Sequence, residues 1–237
     1  MTRFPPTFYR TAAIASGVSA ATTLMLIYLP DFYAPGEGFE ARMQRVIDPA
    51  YRLRAWVYLM HPILVFTAAL ALAVRLRREA PAPMLAGAIG FGLWAATEAA
   101  QQTLTLFMFD PWRLAWLAGD PAVRATMAVR TAFYDGLWDA AYTLLLIGFF
   151  IGCVAYGAVF VRRHGLDRAI GILYFLAALL TARYFAGMLG APGLPPLLEQ
   201  YFYPAVQPLA RLLIGLWLWK NAAEATSLAS TPSERDR

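Results

Sequence analysis

Acids at Glu98, Asp135 and Asp139, arginines at Arg183 and Arg211, and a histidine at His61 all stand inside stretches that are otherwise apolar. Carboxylates and guanidinium groups brought together can hold a zwitterion or an anion, support proton-coupled exchange, or pair only with each other. With an imidazole beside them they can also run acid/base chemistry, Asp139 or Glu98 moving the proton near His61. Helical spacing gives the three acids and Arg211 polar company on one face. Glu98 is grouped with Gln101 and Gln102, Asp135 with Asp139 and Tyr142, and Tyr203 with Gln207 and Arg211. A charge at the centre of a bilayer costs at least roughly 2.5–3.5 kcal/mol, so such side chains are expected to face a bundle interior and pair there.

The elements that must position them are membrane helices. Of the 237 residues 59% are hydrophobic and only 15% charged, against roughly a quarter charged in soluble proteins, and the mean hydropathy is +0.50. The excess falls in six blocks, 11–29, 54–74, 84–108, 131–161, 169–190 and 202–219, each about the 20 residues that a spanning helix needs. The expected fold is all-α, a polytopic bundle of six transmembrane helices occupying residues 1–222, with 223–237 a polar, disordered cytoplasmic tail. Asp48-Pro49, Asp110-Pro111 and Asp120-Pro121 mark helix starts, the aspartate capping and the proline opening the first turn. PWRLAWLAG, 111–119, reads as a short interfacial helix before the fourth span. The first apolar run is too long for a signal core and reads as an uncleaved span.

Orientation follows from the arginines and the single lysine. Residues 3, 10, 75, 77, 78, 162, 163, 168, 220, 235 and 237 fall on the side of the termini, against 42, 45, 52, 54, 113, 124 and 130 opposite. That bias puts both termini in the cytoplasm of a multi-pass protein in the cytoplasmic (inner) membrane. The polar residues of five spans then lie toward the outer side, forming a cluster that opens extracytoplasmically. In this depth ordering Asp135 belongs to the water-facing start of its helix, and Asp139 is the acid placed to meet Arg183 or Arg211. Pro62 and Pro208 follow His61 and Gln207 and are expected to kink their helices beside the cluster. Ala178, Ala182, Ala186 and Gly190, and the Gly148–Gly152 pair, offer small faces for close helix packing.

Several chemistries are disfavoured. The basic residues flank apolar blocks, which fits anionic lipid better than nucleic acid. One cysteine, Cys153, and two histidines give no disulfide, zinc motif or bis-histidine haem. His61, Glu98 and Asp139 could compose a metal set, but no spacing specifies one. No hydrolase, zinc-protease or phosphate-loop motif is present. Neither a cofactor nor a metal is expected.

Four stretches carry a resemblance: RTAAIASGVSAATTL, GFGLWAATE with its intramembrane glutamate, the aspartate opening the fourth span, and VQPLARLLIGLWLWKN. Together the pattern resembles an uncharacterised family of bacterial six-helix membrane proteins of this length, defined by a domain of unknown function. The resemblance implies a six-helix fold and no activity. Where that family often places an acid beside the last-helix glutamine, this chain has Pro208 and then Arg211 after Gln207, so a shared site in that helix does not carry over.

Three functions follow from the residues. The first is an outer-half site for a small molecule, ion or lipid headgroup, built from Glu98, Asp139, Arg183, Arg211, His61, Gln207, Gln101 and Tyr142. The second is a structural or accessory subunit, in which the charges staple the helices and the lipid face docks a membrane partner or a second copy. The third is an intramembrane acid/base enzyme. Membrane lipid is the partner common to all three.

Overall fold

The computed structural model describes residues 4–33, 38–192 and 195–230, and of 196–200, 203 and 224–230 the backbone alone. The protein is all-α: α1 (Pro6–Tyr28), α2 (Gly38–Gln44), α3 (Pro49–Leu76), α4 (Pro81–Leu104), α5 (Asp110–Ala118), α6 (Pro121–Phe160), α7 (Leu166–Met188) and α8 (Pro196–Ser230). Among the described residues, four stretches are long and apolar enough to cross a membrane: Pro6–Phe32, Pro49–Leu76, Pro121–Phe160 and Leu166–Met188. Glu98, Gln101 and Gln102 lower the hydropathy of α4, which is not among them.

Two of the three Asp-Pro pairs start helices as expected. Asp48 Oδ1 accepts from the backbone N–H groups of Ala50 and Tyr51 at 2.8 and 3.2 Å, and Asp120 Oδ1 from Ala122 and Val123, both at 2.9 Å. Asp110 does not cap. The chain runs from α4 through a π-helical turn, Thr105–Phe109, directly into α5, so the N–H groups there are already bonded. The Asp110 carboxylate is left for side chains.

The six long helices close a ring. Each packs on two neighbours in the order α1, α3, α4, α6, α7, α8 and back to α1. The backbones of α4 and α6 approach closely. A Cβ added at Gly90 would lie 2.6 Å from the Gly152 nitrogen and 2.7 Å from the Gly148 oxygen, so only glycine permits this contact. The expected stripe on α7 is partly realised. Ala178 is buried, but Gly190 takes φ +87° and stands beyond the helix end.

One end of the ring carries the α3–α4 and α6–α7 turns and the start of α1; this is the lower end. It is fastened by polar contacts: Trp217 Nε1 donates to Asp167 at 2.8 Å, Arg75 donates to Asn221 at 3.1 Å, and Arg163 pairs with Glu79 and Asp167. Above these, Tyr156, Phe160, Leu72, Ile170 and Leu218 fill the interior. The upper end carries α2 and α5. There α6 begins at Pro121, as the Asp120-Pro121 pair indicates, and runs on through the fourth apolar block for 40 residues, about 60 Å of helix and twice a hydrocarbon core. Its first half packs with α2 and α5 into a cap with its own core of Met43, Phe109, Trp116, Met127 and Tyr134. The helical backbone of α8 continues to Ser230, past the expected end of the bundle at 222, and residues 231–237 of the expected tail lie outside the described residues.

Candidate functional site

Inside the ring, toward its upper end, is a cavity of about 930 Å³ lined by all six long helices. His61, Glu98, Gln101, Tyr142, Arg183, Gln207 and Arg211, all expected as site residues, line it, as does Gln102. Tyr203, grouped with Gln207 and Arg211 by spacing, has a side chain outside the described residues. The cavity spans a considerable depth. Counting from the lower helix ends at ~1.5 Å per residue, Ala177 stands about 17 Å up, Glu98 and Arg183 about 26 Å, and Arg54 about 33 Å. Pro30 and Ala191, in the connections beyond α1 and α7, line its top.

Trp94 organises the middle of the site. Its ring has the His61 imidazole edge-on at 6.1 Å and the Arg211 guanidinium at 6.0 Å, and Glu98 lies one helical turn above it. His61 Nδ1 shares a hydrogen bond with Thr22 Oγ1 at 2.8 Å, which fixes the ring between α1 and α3. Pro62, buried just after it, occupies the helix interior as the sequence indicates. Arg211 reaches Gln207 Oε1 at 3.4 Å. One turn of α1 is tied to this level, because Ser16 Oγ donates to the Arg211 carbonyl at 2.7 Å. Gln101 donates to the Trp138 carbonyl at 3.0 Å, bridging α4 to α6.

Glu98 is the exception among these groups. It is 5% exposed and borders the cavity, and it has no hydrogen-bond or ion-pair partner among the described residues. The charge whose field it feels is that of Arg211. A buried carboxylate normally carries partners for its oxygens, because losing water without replacing it is costly. Below Arg211, Phe149 and Gln207 a second void of about 30 Å³ reaches Tyr174 and Cys153, room for a water or two. Beneath it the packed lower core begins.

Asp139 departs from expectation. It is exposed and does not line the cavity, so it meets neither Arg183 nor Arg211. The inward stripe of α6 runs through Tyr134, Trp138, Tyr142 and Leu145 or Leu146, and Asp139 lies one residue, about 100°, off it. Asp135, expected to face water, is the paired acid: both of its oxygens accept from Arg42 of α2. With Asp139 turned away, the His61, Glu98 and Asp139 metal set is not assembled.

Sequence reasoning missed Arg54, Tyr58, Trp94, Trp138, Thr181 and Tyr184, all lining residues. Arg54 was counted as an outer flank. Yet Arg54, Tyr58 and His61 recur at i, i+4 and i+7, and that spacing placed them on one face. Arg54 lies over the Tyr58 ring at 5.2 Å and donates to the Leu26 carbonyl at 3.1 Å.

The cap above the cavity treats its charges differently. Arg113 is 4% exposed. It donates to Asp110 at 3.1 Å and to the Tyr51 hydroxyl, and its guanidinium lies 4.2 Å from the Phe109 ring. Phe109 in turn stacks on Tyr134 at 4.2 Å, and the Tyr134 hydroxyl bonds Thr105 at 2.7 Å. Burial pushes the Asp110 carboxyl above the ordinary aspartate range, with Arg113 pulling it back. Comparison with protein families, with curated proteins and with solved structures finds no match for the chain.

Proposed function

We propose that this is a multi-pass membrane protein, all six long helices crossing the cytoplasmic membrane with both termini inside, which binds a small ligand in the cavity from the extracytoplasmic side. The outer face supports six crossings. The four apolar spans expose Ile14, Ile63, Ile151 and Leu179, and α4 and α8 carry the same kind of face in Leu85, Ile89, Leu212 and Leu216. A belt of this kind suits lipid. Lining from six helices, a volume within the usual range for ligand pockets and a few convergent polar groups support binding.

The observation that carries the reading is Glu98. A staple requires its charges to be matched within the bundle, and the most buried acid of the cluster has no such match among the described residues. The packed lower end favours binding over passage.

A thermal-shift screen of soluble metabolites and lipids on the detergent-solubilised protein tests this. Compounds that raise the melting temperature should lose their effect in Leu180→Trp, which fills the cavity from α7. Stabilisation untouched by that substitution, or no stabilising compound at all, would contradict the site. A reporter inserted after Ala191 should report an extracytoplasmic position; a cytoplasmic signal would reverse the orientation.

A further inference from the structure

We infer that the ligand is a zwitterion, with an acidic group, carboxylate or phosphate, held by Arg211 and an amine held by Glu98. This rests on the ligand-binding reading above and narrows it to a chemical class. Among the described residues the charges of the lining are unequal: Arg54, Arg183 and Arg211 against Glu98. Arg54 stands near the top of the cavity and Arg183 at the height of Glu98, and both draw anions into it. A purely cationic ligand would therefore meet three arginines. A purely anionic ligand would meet Arg211 but leave Glu98 buried beside it with nothing to satisfy it.

Only a molecule carrying both groups gives Glu98 a partner and engages the Arg211 charge at once. The geometry brings them within reach of one ligand, since Arg211 lies 6.0 Å from the Trp94 ring and Glu98 is one turn above Trp94 on the same helix. The indole and the neighbouring glutamines, Gln102 and Gln207, supply a face for stacking and further hydrogen bonds. A guanidinium suits carboxylate and phosphate equally, by paired N–H bonds. At about 930 Å³ the space exceeds a single amino acid, and Leu145, Leu146 and Leu180 offer apolar wall for the rest of the molecule.

The same chemistry can come from a free peptide-like solute or from a lipid headgroup, and two sets of probes separate them. The first is the dipeptide Leu-Leu, its N-acetyl form, which keeps the acid alone, and its amide, which keeps the amine alone. The second is lysophosphatidylethanolamine against lysophosphatidylglycerol, which lacks the amine. Binding to the full chain in detergent is read by thermal shift and calorimetry.

In at least one set the zwitterion should bind ten-fold or more tightly than its blocked counterparts, and the set that discriminates identifies the source. Glu98→Gln should then abolish the preference for the free amine, and Arg211→Gln the preference for the free acid. Should either variant fail to fold, the wild-type comparison decides alone. Blocked probes binding as tightly as the zwitterions would overturn the inference, and so would the absence of binding in both sets. If the broad screen has meanwhile found a ligand blocked by Leu180→Trp, the pocket stands and only its chemical class falls.

Discussion

Arg113 and Arg211 are both arginines in the interior of the fold, 4% and 8% exposed, and their surroundings have little in common. Arg113 is held by Asp110 and Tyr51 and lies over Phe109, with its acid three residues away on the same helix. Arg211 borders a large cavity, with Gln207 at 3.4 Å and Trp94 at 6.0 Å. The acids differ in the same way. Asp110 accepts from two side chains, and Glu98 from none among the described residues. In the cap the charges complete the structure. In the cavity Glu98 is buried with no side-chain partner among the described residues, and that is the condition under which a ligand has something to contribute.

Substitutions in the cap should therefore cost stability in proportion to burial. Arg113→Ala leaves Asp110 buried without its cation and should cost about 3–5 kcal/mol, read as a large drop in melting temperature in detergent. Next, Tyr134→Phe removes the hydroxyl bonded to Thr105 and keeps the stack on Phe109, for about 1 kcal/mol. Asp135→Asn weakens the pair with Arg42. Both side chains are over a third exposed, so the loss should be under about 1 kcal/mol and shrink with added salt. Smallest is Asp139→Asn on the exposed face of α6, which should move stability by no more than about 0.5 kcal/mol and leave ligand binding unchanged. A large effect at Asp139, or none at Arg113, would erase the contrast.

How much of this the sequence carried depends on the physics involved. Block hydropathy located every long helix, and Asp48-Pro49 and Asp120-Pro121 located two helix starts, because both signals are local. Position along each helix was also legible: seven of the eight expected site residues line one cavity. Azimuth was not read. Asp135 and Asp139 were ranked by depth alone, while the aromatic stripe at 134, 138 and 142 already showed which face of α6 turns inward. The Arg42 partner of Asp135 comes from α2, 93 residues away in sequence, and no local pattern announces it. The fourth apolar block begins at 131, ten residues inside α6, because hydropathy reports where an apolar run begins, while the Asp120-Pro121 pair marks the helix start itself. Asp110 does not cap because the N–H donors that follow it are not free: the π-helical turn carries the helix straight on from α4 and those groups are already bonded within it.

Glu98→Gln tests the central claim most directly. If the cavity is a binding site, the substitution removes an uncompensated buried charge, so the variant should melt no lower than the wild type while losing the stabilisation that a bound ligand gives. Should Glu98→Gln instead lose as much stability as Arg113→Ala and respond to ligands as the wild type does, the cavity charges hold the helices together and the account is wrong.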